Sequence, residues 1–191
     1  MKISGIVNKD KLDWSEEGGQ LSMRVAGKTD FFLDPAEQYT ADSAPILFQE
    51  IPNVDFSCEV TIRSELASTF DAAGFFLRCG TDWYLKFEAE RAPTGELLIV
   101  SVLTTGFSDD CNGPEVSGPV TLRANRIGNT VSMHLKLEDS SWRLIRYCRL
   151  PSPGALELGF TVQSPLGGGV YATFSDGHIS ENVPQDIRSG T

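Results

Sequence analysis

The sequence predicts an all-β sandwich, and three observations predict it. Apolar and polar residues alternate with a period of two through most of the chain, as they do on a strand with one buried face. Clusters of Gly, Pro and Asn fall between the alternating runs, where turns need them. Helical periodicity is scarce, so no helical crossovers separate the strands. Many strands at close spacing then read as two stacked antiparallel sheets. At 191 residues the chain is long enough to bury a core without a disulfide or metal to staple it.

The elements follow in chain order. Strand-like runs occupy 20–25 and 29–33. A connection covers 34–45, and its first residues, 34–38, can form a single helical turn. In 56–63, Phe56, Cys58, Val60 and Ile62 alternate with Ser57, Glu59, Thr61 and Arg63. After a connection at 64–72 come runs at 73–79, 83–90, 96–105 and 119–127. Residues 125–129, from Asn125 through Gly128 to Asn129, join the last of these to 131–137 as a tight hairpin. There Val131, Met133, Leu135 and Leu137 alternate with Ser132, His134 and Lys136. A run at 142–149 ends at the Pro–Gly turn of 151–154. In 156–163, Leu156, Leu158, Phe160 and Val162 alternate with Glu157, Gly159, Thr161 and Gln163. The turn at 165–169 leads to the last run, 170–176. The expectation is one domain over 1–179 with a polar tail at 180–191.

Composition narrows the function classes. Asp and Glu total 26 against 16 Lys and Arg, a formal charge of −10. Nucleic-acid binders draw much of their affinity from neutralising phosphates, and this balance opposes that. It opposes an anionic membrane surface equally. The first 14 residues hold no apolar stretch long enough for a signal peptide. No window approaches the ~20 apolar residues of a membrane helix. Cys58, Cys79, Cys111 and Cys148 form no CxxC unit, so neither a zinc knuckle nor a redox motif is expected. Cys58 falls in phase with the apolar face of its strand and is expected to be a buried, reduced thiol. The expected compartment is the cytoplasm.

The most informative strand is 83–90. Leu85, Phe87 and Ala89 point one way, so Tyr84, Lys86, Glu88 and Glu90 point the other. A ring, an ammonium and two carboxylates in one row suit a glycan: rings stack on the apolar faces of sugars, and charged groups bond their hydroxyls. An ordinary solvated strand face carries the same alternation. Glu88 and Glu90 also fit a catalytic pair. Residues two apart on a strand lie roughly 6.5–7 Å apart. That overlaps the ~5–5.5 Å and ~6.5–9.5 Å carboxylate separations of retaining and inverting glycosidases. Lys86 beside them is expected to keep both carboxylates ionised.

Other constellations are weaker. His134 and His178 have no neighbouring Cys or His at metal-ligand spacing, and no GxSxG elbow exists. Ser108, Asp109 and Asp110 form an oxygen-rich group that suits either a turn or a calcium ion. Gly167, Gly168 and Gly169 lack the strand–turn–helix setting of a phosphate loop. Neither a cofactor nor a metal is expected.

Several blocks, in order, resemble the poorly characterised family that includes the yeast regulation-of-enolase protein. They are residues 14–21 from Trp14 to Leu21, 28–32 from Lys28 to Phe32, and 71–78 from Asp71 to Arg78. They continue with 84–90, 101–109, Ser164 with Pro165, and 174–176. Against the family pattern, Ala72 stands for a Gln, Tyr84 for a Trp, Glu88 for a Gly and Asp110 for a Trp. The resemblance implies a jelly-roll sandwich of the concanavalin A-like lectin/glucanase type. Relatives in that superfamily bind or cleave glycans on a concave sheet. The two glutamates flanking an aspartate that mark the related glucanases are absent.

Together these readings lead to a carbohydrate-binding or carbohydrate-metabolism accessory domain. Tyr84, Lys86, Glu88 and Glu90 would line its face, with Arg78, Ser101 and Thr105 from neighbouring strands. Asp30, Asp71 and Asp109 would sit in rim loops. A glycan-cleaving enzyme using Glu88 and Glu90 as acid and base is the alternative. So is a non-catalytic regulator with a metabolic enzyme as its protein partner.

Overall fold

The computed structural model describes residues 2–151 and 154–191, and it shows two seven-stranded antiparallel sheets packed face to face. Sheet one runs β1 (Gly5–Val7), β6 (Ile46–Ile51), β15 (Leu156–Gln163), β8 (Ala72–Cys79), β9 (Trp83–Arg91), β10 (Leu97–Thr105) and β11 (Phe107–Glu115). Sheet two runs β14 (Trp142–Arg149), β13 (Thr130–Lys136), β12 (Val120–Ile127), β7 (Phe56–Glu65), β16 (Gly169–Ser180), β3 (Gln20–Ala26) and β2 (Leu12–Glu17). A small ribbon of β4 (Phe31–Leu33) and β5 (Thr40–Asp42) stands apart from both. The jelly-roll sandwich expected from the sequence is the fold.

Alternation decides which side chains meet. Phe75, Leu77, Leu85, Phe87 and Ile99 of sheet one face Phe56, Val60, Leu122, Met133 and Phe174 of sheet two in one continuous core. Phe160 bridges the layers, with its ring 4.5 Å from Phe174 and 5.5 Å from Phe75. Each such side chain contributes roughly 1.5–3 kcal/mol by leaving water. Cys58 lies in this core at 1% exposure, and burial pushes its thiol up to about 12, as its in-phase position implies.

The structure differs from the sequence expectation at several elements. Residues 34–38 form a hydrogen-bonded turn instead of a helical one: the Glu37 N–H donates to the Asp34 carbonyl at 2.9 Å. The Asp34 carboxylate also accepts from the Ala36 and Gln38 amides, while Glu37 sits at φ 59, where a right-handed helix cannot continue. The oxygen-rich stretch 107–115 is an edge strand, with Asp110 opposite Val102. Its charges and Pro114 suit an edge that must not recruit another strand. Residues 46–51 form β6, whose Ile46 and Leu47 are both buried, so period-two alternation is broken there. Of the turn placed at 151–154, Ser152 and Pro153 lie outside the described residues. Beyond Ser180 the tail folds against the outer face of sheet two, where Arg123 donates to the Gly190 carbonyl and His134 to that of Arg188.

Candidate functional site

The site forms on the outer face of sheet one. Strand β9 lies between β8 and β10, so its outward row is flanked on both sides. Across the sheet Lys86 is level with Phe76 and Val102, and Glu88 with Gly74 and Val100. Gly74 leaves the room that Glu88 fills: a Cβ there would meet Glu88 Cγ at 2.8 Å.

The segment from Lys28 to Pro45 crosses this face and fills part of it. Ser43 and Ala44 donate their amides to the Asp30 carbonyl, and Asn8 holds the Asp42 and Ala44 carbonyls. Ser108 accepts from the Leu33 amide at 3.0 Å. Phe31 thereby seals a second apolar cluster with Ala44, Ile46 and Phe76. What stays open is a cleft of about 410 Å³ beside it. That lies within the ~300–1,000 Å³ of small-molecule sites.

Its lining divides by chemistry. Lys86, Glu90, Asp30, Asp110 and Gln163 are the polar groups at its floor and side. Phe32, Tyr39, Phe70, Val102, Pro165 and Leu166 form apolar walls, and Asp34 stands at the rim. Phe70 holds φ 66, an uncommon value for a bulky side chain, while its N–H donates to the Arg91 carbonyl.

Lys86 is 1% exposed. Its ammonium donates to Gln163 Oε1 at 3.0 Å and lies 3.3 Å from Glu88 Oε2 and 3.8 Å from Asp30 Oδ1. Burial alone would lower it, but the carboxylates of Glu88, Asp30 and Glu90 together hold it above the ordinary lysine value. Burial raises Glu88, Asp30 and Asp110 above the usual carboxylate range, and Lys86 only partly opposes this. Glu90 is raised to about 8, first by burial and then by Glu88, Asp110 and Asp30, again against Lys86. The expectation that Lys86 keeps both glutamates ionised is therefore corrected for Glu90, where desolvation outweighs one shared cation; Glu88 shifts in the same direction. A carboxyl that holds its proton near neutral pH can donate as well as accept.

The expected site residues part company here. Lys86, Glu88, Glu90 and Asp30 come together. Tyr84 shares their face, but its ring stacks on Phe76 at 5.3 Å and meets Phe31 at 5.6 Å, so it is no platform for a sugar. Arg78 is spent on Glu157, 2.5 Å away. Ser101 pairs with Phe87 and so faces the other side, where Arg146 reaches it at 3.4 Å. Thr105 has the same parity at the exposed end of β10. Asp109 pairs with Arg146 at 3.3 Å, away from the cleft.

Asp71 has a different task. One carboxylate oxygen accepts from the Ala67 and Ser68 amides, and the other from the Ser164 hydroxyl at 2.8 Å. It pins the 64–72 connection to the loop that carries Pro165 and Leu166. The residues that sequence reasoning missed are Gln163 and the aromatic walls, and Asp110, singled out there only in an oxygen-rich group and as a departure from the family pattern, joins the cleft. Gln163 was visible as a polar position in its alternating strand. Tyr39 and Phe70 carry no periodic signal.

Comparisons place the fold among known proteins. A family model described as protein of unknown function (DUF1349) matches residues 7–182. Regulation of enolase protein 1 from Saccharomyces cerevisiae is 26% identical over 163 residues, covering 84% of this chain and 81% of its own. A solved structure of a functionally unknown protein from Saccharomyces cerevisiae has a TM-score of 0.86 at 25% identity, covering 94% of this chain and 97% of that one. A xylan beta-1,4-xylosidase from Bacillus halodurans has a TM-score of 0.64 at 12% identity, over 94% of this chain and 40% of its own. That last likeness is one of fold.

Proposed function

The chain belongs to the family described as protein of unknown function (DUF1349), and from that premise we propose that it binds a carbohydrate in the cleft above Lys86 and Glu90. The make-up of the cleft carries this reading. It combines donors and acceptors (Lys86, Gln163, Asp30, Glu90) with aromatic or aliphatic surface (Phe32, Tyr39, Phe70, Val102) in one lining. A sugar ring has the same two aspects, hydroxyls around its edge and apolar C–H faces. Gln163 would meet ring hydroxyls as a donor and Glu90 as donor or acceptor, while Phe70 and Tyr39 would cover a C–H face. The fold shared with a xylan beta-1,4-xylosidase supports the same ligand class.

A glycan array followed by titration calorimetry tests this, with Phe70→Gly as the probe. Wild type should bind at least one glycan class. The variant should bind it roughly tenfold more weakly, the loss of one stacked ring. Its melting temperature should hold or rise, because Gly adopts φ 66 without strain. Absence of any glycan binding, or unchanged affinity in the variant, contradicts the reading.

A further inference from the structure

The cleft gathers more acidic groups than the protein itself pairs. Asp30, Asp34, Glu90 and Asp110 line it, against the single ammonium of Lys86. That ammonium is already committed to Glu88, Asp30 and Gln163. Asp34 is likewise occupied, by the amides of Ala36 and Gln38. Glu90 is not. It is 9% exposed and faces the cleft, and its carboxyl has no hydrogen-bond or ion-pair partner among the described residues. Asp30 Oδ1 is enclosed and accepts no hydrogen bond, and its near cation is Lys86 at 3.8 Å.

Burial without a partner holds the Glu90 carboxyl in its protonated form, and a cation arriving beside it favours the ionised one. An incoming carboxylate brings no such relief: it adds a further acid to a poorly hydrated cleft that already holds four acids against one committed ammonium. Tyr39 and Phe70 add ring faces, which attract cations as well as sugar C–H groups.

Resting on the carbohydrate reading above, we propose that the preferred ligand is a sugar bearing a protonated amine, its ammonium taken by the Glu90 carboxylate, and that sugars bearing a carboxylate are excluded. Binding then releases a proton near neutral pH, because the ammonium draws Glu90 down from about 8. The groups facing Glu90 set the extent of release: Glu88, Asp110 and Asp30 hold it up, and Lys86 holds it down.

Calorimetry at pH 7 in buffers of differing ionisation enthalpy compares four tetramers, of glucosamine, N-acetylglucosamine, glucose and galacturonate, with spermidine as a non-sugar amine. The glucosamine tetramer should bind roughly tenfold more tightly than both neutral tetramers, with proton release, and the galacturonate tetramer should not bind. Glu90→Gln should bring amine and neutral tetramers within about twofold of each other. Glu17→Gln, on the exposed β2–β3 hairpin, makes the same substitution away from the cleft and should leave the preference intact. Equal binding of amine and neutral tetramers overturns the amine preference and leaves the carbohydrate reading standing. Tight binding of the galacturonate tetramer overturns the preference too. Spermidine binding that depends on Glu90, with no sugar bound, upholds amine capture and overturns the carbohydrate reading. No binding by any of the five overturns both.

Discussion

Glu90 shows how burial sets the chemistry of one side chain. Its carboxyl titrates near 8 in the folded protein and near 4.3 in an unfolded chain. The folded state therefore holds the proton more tightly. The stability this proton contributes is fully present below about pH 4, declines as pH rises, and is gone above about 8. Glu88, Asp30 and Asp110 shift in the same direction. Glu90→Gln keeps the shape and removes the titration. Thermal unfolding across pH 5 to 9 should show the wild-type melting temperature falling faster with pH than that of the variant, with the variant gaining most at the alkaline end. Parallel profiles would contradict the assignment. The outward row of Lys86, Glu88 and Glu90 was legible from period two alone. The direction of their titration was not, because desolvation depends on Phe31, Tyr39 and the ribbon above, and these come from distant sequence.

At the scale of elements, the cleft is made by segments that cross or border the sheet. The Lys28–Pro45 excursion closes one side, and it half-buries the Tyr84 that alternation places in the open. The opposite wall is the 165–169 turn, tied by Asp71 to the 64–72 connection. Asp71 is 1% exposed and satisfies two amides and a hydroxyl. Asp71→Ala leaves those donors unmet and should cost about 2–4 kcal/mol. Asp109→Ala removes only an ion pair whose acid is 73% exposed, and should stay within ~0.5 kcal/mol. Chemical denaturation measures both, and hydrogen exchange should rise at 66–70 and 164–169 in the first variant alone. Equal costs would contradict the division of roles. Both aspartates read alike in sequence, as acids in loops. Asp109 turned out to lie on an edge strand, because β10 offered an unpaired edge to a stretch that local pattern marks as a turn.

For the whole molecule, the sandwich was legible because its cause is repeated everywhere. Alternation recurs in long strands of both sheets, such as β7, β13 and β15, and two sheets burying one face each satisfy all of these at once. The strands that escaped notice are short or break the alternation, like Gly5–Val7 and Ile46–Ile51. The cleft was legible only as one row of β9. Its other residues come from five separate stretches, Asp30–Tyr39, Phe70, Val102, Asp110 and Gln163–Leu166, which only the sheet order brings together. The fold thus presents one polar, walled cleft on sheet one, while the tail covers part of the outer face of sheet two.

That division of faces is also the most direct test. Backbone amide chemical shifts, followed by NMR while the tightest glycan from the array is titrated in, report where it sits. The account predicts shifts at Phe70, Lys86, Glu90, Val102, Asp110, Gln163 and Leu166, with His134, Trp142 and Tyr171 of sheet two unmoved. Shifts centred on sheet two, or no shift at the cleft with saturating glycan, would contradict it.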